Sequence, residues 1–257
     1  MTIVAGGRRA HGTSPDTVQL TTRLVELVGG RYSTELGIDL DKGEEEIERW
    51  FLAATLFGTR ISAGIAERTF RVLQDAGIVR ISQASHVATG DLVALLDRGG
   101  YARYDFRTAA RLHALAAAVD DQYEGRVALI GQRCHSYASV QAALDDLPGW
   151  GTVTVGLFLR ELRGVWPGAE PPLDERAVRA AHHLGFIQAA RNDPLGAVTW
   201  LAFLAHLDVR DLEASLVRIA LAHRASMNEC PGGIGCTVLT GRPATEEGDD
   251  AEHSRSG

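Results

Sequence analysis

From Pro15 to His223 apolar residues recur at i, i+3 and i+4, and nowhere does an apolar/polar alternation of convincing length appear. Val18, Leu20, Leu24, Val25 and Val28 define a first helix over Pro15–Val28, ended by Gly29-Gly30. The same spacing predicts helices over Glu44–Phe57, Ile61–Asp75, Asp91–Leu96, Thr108–Val119, Leu173–Leu184, Pro194–His206 and Asp211–His223. Trp50 to Phe57 is almost wholly apolar, as in a buried helix. Gly37–Gly43 reads as a loop, and Arg126–Ile130 is the nearest approach to a strand. The fold class is therefore all-α. With 257 residues the chain is long enough for one large body or for two lobes wrapped through each other.

Two further helices flank Leu147-Pro148-Gly149-Trp150-Gly151. Val140, Ala143, Leu144 and Leu147 lie on one face of the first, and Val155, Phe158, Leu159 and Leu162 on one face of the second. Gly149 and Gly151 permit backbone angles closed to other residues, so the turn can aim N–H groups outward at a fresh helix N-terminus. There the helix dipole also favours an anion such as a DNA phosphate. Taken alone, Pro-Gly-x-Gly is also ordinary punctuation between helices. Trp150, at the tip, either packs into the body or touches DNA.

The formal charge of −7 argues at first against nucleic acid, where Lys and Arg carry most of the affinity. The acids are concentrated at the ends, however: residues 245–257 carry a net −4 and residues 1–45 a net −2, which leaves −1 for 46–244. Charge permits DNA binding without indicating it. Only one of the 26 basic residues, Lys42, is a lysine.

In these features the chain resembles the helix-hairpin-helix (HhH-GPD) DNA glycosylase superfamily, the endonuclease III-like base-excision enzymes. Leu147-Pro148-Gly149-x-Gly151-x-x-Thr154 matches the hairpin signature, with Thr152 at the start of its second helix. Leu173-Asp174-Glu175-Arg176-Ala177-Val178-Arg179 matches the run that holds the catalytic aspartate and a following arginine. Trp50–Phe57 is similar to the buried helix before the base-wedging loop. Gly100–Ala109, with Tyr101, Arg103, Tyr104 and Arg107, is similar to the segment before an Ala-rich helix. Four landmarks in order, across about residues 46–225, imply a two-lobed helical fold with a cleft.

The resemblance implies duplex DNA as partner and a flipped-out base as substrate, with a structural cation at the hairpin and a monomeric state. Asp174 would stabilise the positive charge that builds on the sugar and help a water attack. After Pro171-Pro172, Asp174 is equally well placed as a helix N-cap. Leu147 to Thr152 and Thr154 would meet the DNA backbone, with Arg103 and Arg107 on phosphates. Thr59 or Arg60 would fill the gap left by the base, and Tyr101 and Tyr104 would stack on it. Core tyrosines and solvated arginines are the plain alternative.

Three departures narrow the chemistry. The position of the lyase lysine is Val153, so no Schiff base is expected there. Of three cysteines only Cys230 and Cys236 lie in the C-terminal region; their spacing resembles a remnant of the family's iron–sulfur loop, and neither a [4Fe–4S] cluster nor another cofactor is expected, with no side chain assigned as a metal ligand. A Gln wedge is missing, Gly58-Thr59-Arg60 standing in its place. His182 and His183, without a partner at metal-ligand spacing, read as surface or capping residues. The expected organisation is a flexible arm at 1–14, one helical domain at 15–236 of two interleaved lobes with the hairpin at 139–163, and a disordered acidic tail at 237–257. No run of about 20 apolar residues is present, and Met1–Ala10 lacks a signal-peptide core, so a cytoplasmic, nucleoid-associated protein is expected. The expected function is a monofunctional DNA N-glycosylase; a DNA-binding protein that kept the fold and lost the chemistry, and an unrelated helical interaction module, are the alternatives.

Overall fold

A computed structural model describes residues 14–59, 61–101, 105–188, 192–223 and 226–241. Helices account for the regular structure, in the order α1 (Pro15–Val28), α2 (Tyr32–Glu35), α3 (Glu44–Phe57), α4 (Ala63–Asp75), α5 (Thr89–Gly99), α6 (Asp105–Tyr123), α7 (Ala128–Arg133), α8 (Tyr137–Asp145), α9 (Thr152–Glu161), α10 (Glu175–His183), α11 (Pro194–Leu204), α12 (Val209–His223) and α13 (Thr237–Thr240). Short 3₁₀ turns lie at Leu40–Lys42, inside the expected loop, and at Ile81–His86, Ser226–Glu229 and Gly233–Gly235. There is no strand among the described residues, and none of the helices is long and apolar enough to cross a membrane. Arg126–Ile130, the nearest approach to a strand, runs into α7, in keeping with the all-α class: Ala128, Leu129, Ile130 and Gly131 of that helix are all buried.

The chain divides into two compact units, Arg31–Pro172 and a discontinuous one formed by Met1–Gly30 with Leu173–Gly257. In the first, α3 is the core helix. Trp50, Phe51, Leu52, Ala53, Ala54 and Leu56 are completely buried, and the helix packs on α4, α7 and α9. A helix apolar on every face has to be enclosed, which is why the Trp50–Phe57 run sits at the centre. At the far end of α9, the buried carboxylate of Glu161 accepts from the amides of Tyr32 and Ser33, both at 3.0 Å, and so tethers the start of this unit to the second hairpin helix.

In the discontinuous unit α12 is central, against α1, α10 and α11, with Leu212, Leu216 and Ile219 in the core. Ser14, assigned from sequence to a loose arm, caps α1 by accepting from the Thr17 amide; residues 1–13 lie outside the described residues. The stretch 237–257, expected to be disordered, begins instead with α13. Leu239 is buried there, and its carbonyl accepts from Arg23 Nη2 at 3.2 Å. One apolar side chain and one guanidinium anchor the segment, which composition alone does not reveal. The acidic remainder, 242–257, lies outside the described residues.

Candidate nucleic-acid interface and active site

The hairpin forms as its turn chemistry requires. Ser136 caps α8, and Gly149 takes φ +79°, a left-handed conformation that side chains with a Cβ resist. Behind it lies Arg111 of α6, so close that a Cβ on Gly149 would overlap the Arg111 Cδ. Leu147 is buried, and Trp150 is only 6% exposed. The indole stacks on Phe51 with centroids 4.3 Å apart, meets Phe158 edge to face at 5.3 Å, and donates from Nε1 to Thr55 Oγ1 at 3.1 Å. Of the two roles open to Trp150, the structure gives it the packed one. Its ring is enclosed by α3 and α9 and fixes the turn to the core.

Beyond Trp150 the chain emerges. Gly151, Thr152 and Val153 are exposed, and no side chain caps the N-terminus of α9. The first amides of a helix have no intrahelical acceptor, so this end presents N–H groups to whatever lies outside. Thr154 is buried, and with Leu147 it offers an outside ligand no side chain. Val153 is 60% exposed, so the position matching the lyase lysine points into solvent.

Arg111 was not singled out from sequence. Its Nε and Nη2 are buried with no hydrogen-bond partner among the described residues, and burial lowers its pKa, a shift that Tyr101 opposes. A guanidinium is always charged, and one whose stem lies on the turn glycine is a cation fixed behind the hairpin. Nothing in its spacing within an Ala-rich helix marked it.

The tyrosine expected in the base pocket is a core residue. Tyr101 is 2% exposed; its hydroxyl donates to the Leu56 carbonyl at 3.1 Å and lies 3.0 Å from Thr59 Oγ1, which donates to the same carbonyl at 2.8 Å. The two hydroxyls satisfy the C-terminal end of α3, so Thr59 is half-buried and engaged, not a free wedge. Burial raises the Tyr101 pKa, partly offset by Thr59 and Arg111. Arg107 is exposed on α6. Arg60, Arg103 and Tyr104 lie outside the described residues.

Asp174 belongs to the other unit. It is the N-cap of α10, with its Oδ1 accepting from the Arg176 amide at 2.7 Å, and it is half-buried. Arg179 is exposed on the same helix. His182 is exposed and its Nδ1 lies 3.2 Å from the Ile187 carbonyl, in keeping with a capping role. His183 departs from the surface reading: its Nε2 is buried, beside His223. Burial, and for His183 also the neighbouring His223, holds both imidazoles below the usual range. Burial raises the Cys230 thiol, but hydrogen bonds from Thr237, Gly232 and Cys236 outweigh it and leave the net pKa lowered; at Cys236 burial prevails and the pKa is raised.

No protein-family model and no curated protein matches this chain.

Proposed function

We propose that the chain is a divergent helix-hairpin-helix base-excision protein: a monofunctional DNA N-glycosylase that grips one strand with the α8–α9 hairpin and hydrolyses a flipped nucleotide with Asp174. The observation that carries this reading is the exposed, uncapped start of α9 behind a left-handed glycine, with the Arg111 guanidinium fixed beneath the turn. Backbone amides and one buried cation are what a phosphate needs, so DNA binding does not require a strongly basic face.

In this reading the target nucleotide is extruded from the duplex before the chemistry, so that its anomeric carbon becomes accessible to Asp174. The Asp174 carboxylate stabilises the developing oxocarbenium ion and orients water on the anomeric carbon. Water supplies the hydroxyl, the glycosidic C–N bond breaks, and the base leaves with the proton. Without a lysine at Val153 the reaction ends at the abasic sugar.

The non-catalytic alternative also has an observation in its favour, since N-capping by itself accounts for Asp174. Asp174→Asn separates the two, because Asn caps as well as Asp but carries no charge. On duplexes bearing a panel of modified bases, Asp174→Asn is expected to keep wild-type thermal stability and DNA affinity while excision falls by about 10²-fold or more. Asp174→Ala is expected to lose roughly 1 kcal/mol of stability in addition. Wild-type binding without excision of any base, or equal excision by wild type and Asp174→Asn, would rule out the catalytic role.

A further inference from the structure

Two helices of the discontinuous unit end on histidines that meet. His183 is the last residue of α10 and His223 the last of α12; their rings stand edge to face with centroids 4.8 Å apart. The segment after α12 folds back over them and brings in two thiols. His223 Nε2 lies 3.1 Å from Cys236 Sγ, and one ligand atom from each of His183, His223, Cys230 and Cys236 lies within 4.8 Å of all the others. His223 and Cys236 are buried, and His183 Nε2 is buried with no hydrogen-bond partner among the described residues. A buried polar atom without a partner, on a residue with a ring nitrogen within reach of three other good metal ligands, calls for an occupant.

The geometry points to a structural zinc site formed by His183, His223, Cys230 and Cys236. Two imidazoles and two thiolates are a four-ligand set typical of structural zinc, and bond lengths near 2.0–2.3 Å put the ligand atoms of a tetrahedron about 3.3–3.8 Å apart. The observed separations, 3.1 Å between His223 Nε2 and Cys236 Sγ and at most 4.8 Å for any pair, bracket that range. The iron–sulfur cluster suggested by the family resemblance does not fit, because a four-iron cube takes four thiolates and this cage offers two. A single ion in so tight a cage has no open position, which makes its role structural.

The surroundings are those of a metal site. The Thr237 amide donates to Cys230 Sγ at 3.2 Å, with Thr237 Oγ1 at 3.4 Å, contacts that stabilise a thiolate and hold its direction. Both histidines sit at helix C-termini, where the dipole favours a cation. Gly232 passes so close that a Cβ there would overlap the His183 carbonyl and lie 3.3 Å from Nδ1, so the loop can close over the imidazole only as glycine. The zinc joins α10, α12 and the segment leading into α13, a segment whose own buried apolar surface is small.

The test is metal content and stability of the full chain, made without a metal-binding tag, grown with added zinc and purified under reducing conditions. One zinc per chain is expected by elemental analysis. Cys236→Ser should lose it, and His183→Ala should weaken zinc binding by at least the roughly tenfold that loss of even an outer-shell partner costs. Should Cys236→Ser fail to fold, cobalt(II) added to metal-free wild type decides: tetrahedral d–d bands and a thiolate-to-cobalt charge-transfer band are expected. Protein without metal that also gives no such spectrum would overturn the proposal. So would iron with inorganic sulfide, or a Cys230–Cys236 disulfide in freshly isolated reduced protein. None of these readouts depends on DNA or on excision.

Discussion

Glu48 lies on α3 inside the core of the Arg31–Pro172 unit, its Oε1 accepting from the Ala128 amide at 3.3 Å and its Oε2 buried without a hydrogen-bond partner. Burial pushes its carboxyl up to about 7, against the opposing pull of the Ala128 and Val127 amides and of Arg80. The unfolded chain ionises this group near 4.5, so between the two values the folded state holds the extra proton. Stability from this residue is therefore complete below about pH 4.5 and is lost as pH rises through about 7, with a ceiling of roughly 3 kcal/mol. Glu48→Gln keeps the shape and removes the titration. Urea denaturation of both proteins from about pH 4.5 to 8 should show the variant gaining on wild type as pH rises, and a difference that stays flat would refute the assignment. Other titrating groups are common to both proteins and cancel. At this scale sequence reads residue type well and surroundings badly. Tyr101, Thr59 and Trp150 were all chemically suitable for DNA, yet their hydroxyl and indole groups close the end of α3 and the floor of the hairpin. What placed them there is packing against residues some 40 to 100 positions away, which no local pattern encodes.

The hairpin is an element whose two glycines do different work. Gly149 holds a left-handed conformation over the Arg111 stem, whereas Gly151 has φ −147°, an angle any residue adopts, and a Cβ there meets nothing within 4 Å. Gly149→Ala should therefore cost about 1–3 kcal/mol of folding free energy. Gly151→Ala should leave stability within about 0.5 kcal/mol of wild type while weakening DNA binding, because the new methyl stands among the exposed amides. Chemical denaturation and duplex-binding titrations read the two quantities separately. Unchanged DNA affinity in a folded Gly151→Ala protein would argue against the amide grip. Elements were the most legible level of the chain. Pro15–Val28 and Glu44–Phe57 agree residue for residue with α1 and α3, because proline and acidic starts, glycine ends and a steady 3.6-residue period coincide there. Arg126–Ile130 was the least legible stretch, since a short apolar run has no period and helix and strand look alike until burial on all sides is known.

At the scale of the molecule, helical class followed from periodicity, but the ligand cage did not. His183 and His223 are 40 positions apart, and only the packing of α10 on α12 makes them neighbours. Net charge is the remaining whole-molecule property with a bearing on function. Residues 245–257 carry a net −4, so a chain ending at Ala244 has a formal charge of −3 in place of −7. If the hairpin grips DNA, the tail repels the same phosphates, and its removal should tighten duplex binding several-fold at low salt, mainly through faster association. The gain should fade as salt rises, because the screening length falls from about 10 Å at 0.1 M to about 3 Å at 1 M while contacts at the α9 amides are made at hydrogen-bond distance. Stopped-flow association across a salt series measures this directly. Equal low-salt rates for the full and shortened chains would mean that the tail lies outside the field met by the approaching duplex, and the −1 balance of residues 46–244 would then be the charge that governs encounter.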